Sequence, residues 1–433
     1  MQQINLIRHK LIRLLRCFED PFKIKVDFRS KRYRKREECI PNYRIPDILL
    51  NGENNLISDL HTWSSIRRSE LLQIFRQHMF GKSPFHLIKT NYSIFSEDEN
   101  ALNGRAYRKE VDIYREDKRE AFFRVIIYYP KKTIYTSNKI PIFVGLNFYG
   151  NQTISKEKGI SATESWVPDD SVTLGRGARS LRGVQSSSWP LKLILENGYA
   201  LASAYYGDIL PDKKNGKKLA LHKWFNEHEM KDIELENWGA IDAWAWGLSR
   251  ALDYIKNDEY LDSSKVIVIG HSRLGKVALW AGAQDERFAM VISNNSGCCG
   301  ASLFRRKIGE TISMINHYNP HWFCEKFKEY NDREDKLPFD QHHLIALIAP
   351  RPVYISSAQL DLEADPYGEF LAAKYATPIY HLYGLPGLPT EMFPAINVPI
   401  MGTIGYHIRK GRHGIKKFDW KQFIKFANLH FQK

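Results

Sequence analysis

From residue 122 to the end of the chain, short apolar runs alternate with longer segments of helical periodicity. Residues 122–129, 140–147 and 199–205 are rich in β-branched and aromatic side chains and show no polar stripe. Runs of that length and type predict strands covered on both faces. Residues 238–255 follow with helical spacing, then the β-branched run 266–270 and a helix-forming stretch beyond it. The pattern repeats with a strand introduced by prolines at 350–358, a helix from 367, a strand within 401–409 and an amphipathic helix over 420–431, preceded by Asp419 as its cap. Alternation of this kind predicts an α/β fold: a three-layer sandwich with a mostly parallel central sheet, formed by one domain over 59–433 with inserted loops. Trp244 and Trp246 cannot share one helix face, so they are expected to pack in the core rather than line a binding surface.

Composition fits a large buried core: 433 residues, 43% hydrophobic and 26% charged. The net charge of +14 raises the question of nucleic acid or membrane binding. Much of the excess lies in residues 1–40, within a basic N-terminal extension over 1–58 that has an amphipathic segment at 9–16 and a charge run at 29–36. No zinc-finger or helix-turn-helix pattern accompanies it, so a nucleic-acid partner is not expected. The remaining basic surface suits screened attraction to an acidic polysaccharide. No apolar run is long enough to span a membrane, and no export signal is visible, which leaves localisation open. The five cysteines are odd in number and include the adjacent pair Cys298 and Cys299, which argues against a disulfide framework. No strong metal signature appears, because His342 and His343 are adjacent and point different ways; no cofactor is expected.

The chemistry concentrates where residues 266–270 end in Gly270-His-Ser-Arg-Leu-Gly-Lys276. A serine at a sharp strand-to-helix corner reads as a nucleophile elbow, although Ser272 also reads as an ordinary helix N-cap. The usual second glycine comes one place late, at Gly275, with Leu274 in its position. Chain order supports catalysis, since α/β-hydrolases supply serine, then acid, then histidine, each after a later strand. Asp361 lies in the loop past the strand 350–358. Asp365 competes for the role, but it precedes Pro366 at a helix start, where capping is its expected task. His413 lies in the loop after the last strand and can swing over the sheet edge, whereas His407 lies inside that strand.

The stretch Gly270-His-Ser-Arg-Leu-Gly-Lys276 resembles the Gly-x-Ser-Arg-x-Gly-Lys motif of glucuronoyl esterases, which accounts for the displaced glycine. Asn147-Phe-Tyr-Gly-Asn-Gln-Thr153, Trp238-Gly-Ala-Ile-Asp-Ala-Trp-Ala-Trp246, Ser293-Asn-Asn-Ser-Gly-Cys298, Asp340-Gln-His342 and Gly405-Tyr-His-Ile-Arg409 are similar to segments of the bacterial members. The resemblance extends from about residue 60 onward. It implies an α/β-hydrolase fold and cleavage of the ester between glucuronic acid on xylan and an alcohol such as a lignin alcohol. Ser272 would be the nucleophile, His413 the base, Asp361 the acid, and Arg273 an oxyanion donor through its N–H and guanidinium. Lys276, Glu310, Gln341 and Glu363 would face the substrate, a glucuronoxylan or its oligosaccharides.

Two departures from that family matter. Some members carry a triad glutamate where this chain has Asn295, and an amide cannot hold charge against imidazolium. Glu363 stands where relatives often have a tryptophan, so a flat apolar face for a sugar is replaced by acceptors. Two other readings therefore stay open: a carbohydrate acetyl esterase acting on acetylated xylan with the same triad, and a carbohydrate-binding protein without turnover.

Overall fold

A computed structural model describes residues 37–431, apart from Asn54, Arg119, Tyr135, Ser171 and residues 174–176. The basic segments 9–16 and 29–36 lie outside the described residues. Among the described residues nine strands form one sheet in the order β1-β2-β3-β5-β4-β6-β7-β8-β9. They are β1 Thr90–Asn100, β2 Ala106–Arg115, β3 Ala121–Pro130, β4 Ile140–Asn147, β5 Ala200–Tyr205, β6 Leu261–His271, β7 Met290–Asn294, β8 Val353–Ala358 and β9 Ile404–Arg409. β1, β2 and β3 pair antiparallel and β3 also meets β5 antiparallel; from β5 to β9 every pairing is parallel.

Alternate residues of each central strand enter two separate cores, as the two-residue period of a pleated strand requires. Val266 and Val268 of β6 face one side with Val144, Ala202 and Val291; Ile267 and Ile269 face the other with Phe143, Leu201 and Ile292. The first side is covered by α2 (Ala240–Asn257), α3 (Arg273–Gln284) and α4 (Pro366–Leu382), the second by α1 (Leu191–Glu196) and α5 (Lys417–Phe431). This is the three-layer α/β-hydrolase arrangement. Trp244 and Trp246 are fully buried in the first core, and the Trp244 indole donates to the Leu210 carbonyl at 2.9 Å.

The antiparallel pair β1–β2 has no apolar signature in the sequence, for a physical reason. β1 is an edge strand exposed over most of its length, so neither face selects hydrophobic residues. β2 buries Arg108, Lys109 and Glu110, each with a polar partner: Arg108 lies 3.6 Å from Asp98, Lys109 pairs with Asp258 at 3.4 Å and Glu110 accepts from Ser96 at 3.0 Å. Residues 37–58 lie against the body of the fold. Ile48 and Ile57 enter the first core, His342 Nε2 donates to the Pro46 carbonyl at 2.9 Å, and Arg306 joins Glu37 to Asp365. Among the described residues no helix is long and apolar enough to cross a membrane.

Candidate active site

Because β4 to β9 run parallel, their C-terminal ends share one edge, and the chemistry-bearing loops emerge there. Ser272 follows β6 with φ 57° and ψ −129°, a conformation that costs a non-glycine residue about 1–3 kcal/mol unless its surroundings impose it. Its N–H is fixed on the Asn294 carbonyl at 2.9 Å. The glycines on either side make the corner possible. A Cβ at Gly270 would lie 1.9 Å from the Leu274 carbonyl oxygen, and one at Gly275 would lie 3.0 Å from Ser296 Cβ. The tight approach of helix to neighbouring strand thus falls at 275, while Leu274 is buried in the core.

His413 and Asp361 meet from two different loops. The His413 Nδ1–H donates to Asp361 Oδ2 at 2.6 Å, which fixes the tautomer and leaves Nε2 as the basic nitrogen. The same oxygen accepts from Asn295 Nδ2 at 2.8 Å, so Asn295 holds the acid rather than replacing it. Asp365 does not reach the histidine: it accepts from Gly368 N at 3.0 Å at the start of α4 and pairs with Arg306 Nε at 2.7 Å. His407 is sealed inside the sheet between the Tyr354 hydroxyl at 2.9 Å and Asp419 at 2.8 Å.

A brace behind His413 was not foreseen. Arg409, at the end of β9, donates to the carbonyls of Lys410 at 3.2 Å, Arg412 at 2.9 Å, and Gly414, so one guanidinium gathers the loop that carries the histidine. Asp419 holds Arg409 Nε at 2.9 Å. This corrects the expectation for Asp419: α5 begins at Lys417, and the carboxylate, inside the first turn, serves His407, Arg409 and the Lys416 N–H (2.7 Å) together.

Arg273 forms an ion pair with Asp212. The Asp212 carboxylate also accepts from His321 Nε2 at 2.7 Å, Trp322 Nε1 at 2.7 Å and Tyr206 at 3.0 Å. Burial acts to raise the Asp212 pKa, but the His321 hydrogen bond and the Arg273 charge outweigh it and hold the group well below the usual carboxylate range. The guanidinium is further flanked by the rings of Trp322 at 5.1 Å and Phe148 at 5.8 Å, while its buried Nε has no hydrogen-bond partner among the described residues. Neither Asp212 nor His321 stood out in the sequence, since no spacing connects them to Ser272. His271, beside Ser272, donates from Nδ1 to Asn294 Oδ1 at 2.7 Å, and its ring lies 4.6 Å from that of His413. Burial and then the neighbouring His413 hold its pKa well below the ordinary value, so it stays neutral.

Ser272, His413 and Asp361 open onto a cavity of about 430 Å³ that is also lined by Lys276, Glu310 and Glu363. Lys276 is buried and donates to the Ser296 carbonyl. Burial raises the Glu310 pKa, Lys276 opposes that rise, and Glu363 reinforces it. Two loops zip together to form this wall: the Glu310 N–H donates to the Glu363 carbonyl at 2.9 Å. Gly309, at φ 68°, permits the approach, since a Cβ there would lie 2.1 Å from that carbonyl oxygen. Gln341 is not part of the cavity. Asp340 caps the helix Gln341–Ala346 and pairs with Arg305 at 3.1 Å, which turns Gln341 inward to donate to the Gly300 carbonyl at 2.5 Å. Beneath the floor lies Glu369, also unforeseen, which accepts from Ser357 at 2.5 Å and Gly297 N at 2.9 Å. Burial pushes its pKa up to about 8.

A family model described as glucuronyl esterase of fungi matches residues 210–384. A carbohydrate esterase from an unknown prokaryotic organism is 44% identical over 401 residues, covering 91% of each chain. The chain belongs to the glucuronoyl esterase family. A solved glucuronoyl esterase from Solibacter usitatus superimposes with a TM-score of 0.83 at 40% identity, covering 90% of this chain and 99% of the other. The fold is shared with a glucuronoyl esterase of Sporotrichum thermophile, solved with methyl 4-O-methyl-β-D-glucopyranuronate, at a TM-score of 0.59 and 18% identity over 90% of this chain and 87% of that one. In this glucuronoyl esterase the glycine after the elbow falls at Gly275, where the helix comes close to Ser293 and Ser296.

Proposed function

We propose that this glucuronoyl esterase cleaves glucuronate esters on xylan through an acyl-enzyme on Ser272. The observation that carries the reading is the convergence of the His413–Asp361 pair, 2.6 Å apart, with Ser272 on a cavity whose wall is Lys276 and Glu310. His413 Nε2 takes the Ser272 proton as the oxygen attacks the ester carbonyl, and Asp361 stabilises the imidazolium that forms. The carbonyl oxygen, now negative, is met by the Arg273 N–H and guanidinium, which Asp212 and the two flanking rings hold in place. The alcohol leaves with the proton from His413. Water then repeats the sequence and releases the glucuronic acid. Lys276 and Glu310 offer a cation and an acceptor to the sugar hydroxyls, which orients the ring before attack. The ligand of the Sporotrichum thermophile enzyme, a methyl glucuronate ester, is of the class this cavity suits.

A second reading, acetyl-group removal from xylan, draws on Glu363, whose exposed carboxylate occupies the rim and offers no apolar platform to a sugar. Benzyl glucuronate, acetylated xylan and 4-nitrophenyl acetate, each assayed with wild type and Ser272→Ala, separate the two. Turnover of benzyl glucuronate well above both acetyl esters, abolished in Ser272→Ala, is the expected result; a preference for acetylated xylan would replace the first reading with the second.

A further inference from the structure

We infer that this esterase carries a second, non-catalytic binding site for a carboxylate-bearing polysaccharide, in the basic groove at the far edge of the sheet. The open groove has a volume of about 1090 Å³, at the upper end of what ligand clefts hold, which leaves room for an extended ligand. Its place follows from topology. Pro130, which lines it, ends β3, and Gly198, which also lines it, lies just before β5. β3 runs antiparallel to β5, so both residues belong to the edge where the parallel strands begin, whereas Ser272 follows the end of β6. One strand length, roughly 20 Å for six residues, separates the two edges. No ester bound at Ser272 reaches the groove unless it belongs to a polymer.

The floor is apolar, from Leu102, Pro130 and Leu195, and the rim is cationic. Among the described residues, Arg105, Lys132 and Lys156 have no carboxylate partner, and Lys131 has only the Asn100 amide, at 2.9 Å. The two carboxylates of the groove are already engaged. Glu196 pairs with Lys192 at 3.8 Å, and Glu157 accepts from the Tyr128 hydroxyl at 2.6 Å and from Leu102 N at 2.8 Å. The second of these bonds locks the turn in which Leu102 and Asn103 stand at φ 53° and 59°, a region that apolar L-residues rarely adopt. The turn thus presents a leucine to the groove between unneutralised cations.

Sugar rings offer C–H faces to such a floor, and uronic acid side groups offer anions to the rim. Nucleic acid is a poorer match, because among the described residues no aromatic side chain lines the groove to stack a base. The inference rests on the glucuronoyl esterase reading only in naming glucuronoxylan as the polymer.

The test separates the two sites. Lys131→Gln, Lys132→Gln and Lys156→Gln combined remove three exposed or partly exposed charges from the groove. Binding to glucuronoxylan and to neutral arabinoxylan is measured by affinity electrophoresis on the Ser272→Ala protein with and without the triple change. Hydrolysis of soluble benzyl glucuronate is measured on the triple variant with Ser272 intact. The expected result is at least about a fivefold loss of glucuronoxylan affinity at low salt, fading near 0.5 M salt as screening removes the charge effect, with arabinoxylan binding and benzyl glucuronate turnover unchanged. Unaltered glucuronoxylan affinity, an equal loss on arabinoxylan, or tighter binding of single-stranded DNA through the same lysines would each overturn the inference. Failure of wild type on benzyl glucuronate would instead count against the esterase reading.

Discussion

Asp361 and Asp365 lie four residues apart in one loop and have separate tasks, because one faces His413 and the other faces Arg306. Asp361→Asn keeps the shape but no longer fixes the His413 tautomer, so kcat is expected to fall by about 10²–10⁴, as steady-state assay would show. Asp365→Asn is expected to lower the melting temperature by several degrees with kcat within about threefold of wild type, since it loosens a helix cap and a buried ion pair. Asp212→Asn leaves Arg273 with a weaker partner. Its expected mark is a fall in kcat with KM little changed, because an oxyanion donor works mainly in the transition state; an equal effect on both constants would argue for a general packing role. These residues differ in how readable they were. Asp361 and His413 could be found because a loop just past a strand is a definable place, and Glu310 and Lys276 because a family motif carried them. Gln341 misled because a motif says nothing of which way a residue in a helix's first turn points. Asp212 and Glu369 were invisible, since the contacts that make them matter come from segments far away in sequence.

β6 was legible because Val266 to Ile269, covered on both faces, are apolar without a break; β8 and β9, which bury Ser356, Ser357 and His407, showed through the prolines that introduce one and the glycine-bounded loop that follows the other. β1 and β2 were not, since one is mostly wet and the other buries ions that only the folded partners neutralise. The loop after β9 shows what elements add to a triad: its histidine is half exposed and depends on the Arg409 brace for its place. Arg409→Met keeps much of the side-chain volume but frees three carbonyls, so kcat should fall by about tenfold or more while the fold survives. Hydrogen exchange confined to residues 410–416 would locate the effect, and a global loss of protection would count against it. The elbow gives a stability counterpart. Gly275→Ala pushes a methyl group against Ser296 and should cost about 1–3 kcal/mol in denaturant unfolding, whereas a standard elbow would tolerate alanine there.

Across the molecule, Glu369 links stability to pH. Its carboxyl is neutral when buried and ionises only near pH 8, while in the unfolded chain it ionises near the ordinary carboxylate value. Between those limits the unfolded state binds fewer protons, so the contribution is present in full below the ordinary value and is lost as pH rises toward 8. Asp361, which opposes ionisation, and Lys276, which favours it, both act on this group. Glu369→Gln should gain on wild type by at least about 1 kcal/mol between pH 5 and 8, read from melting curves across that range; parallel curves would refute it. The sheet order places the loops that carry Ser272, Asp361 and His413 on one edge, as the alternation of strand and helix implies. What alternation could not foretell is how residues 37–58 attach. Arg306, 1% exposed, has Asp365 on one side and Glu37 on the other, so the segment before the first strand supplies a counter-ion to a buried cation behind the acid loop. For expression work, this sets where the chain can be cut: shortening up to Arg36 spares that contact, whereas a start at residue 59, the boundary its composition suggests, would strip Arg306 of a partner and uncover Ile48's side of the core.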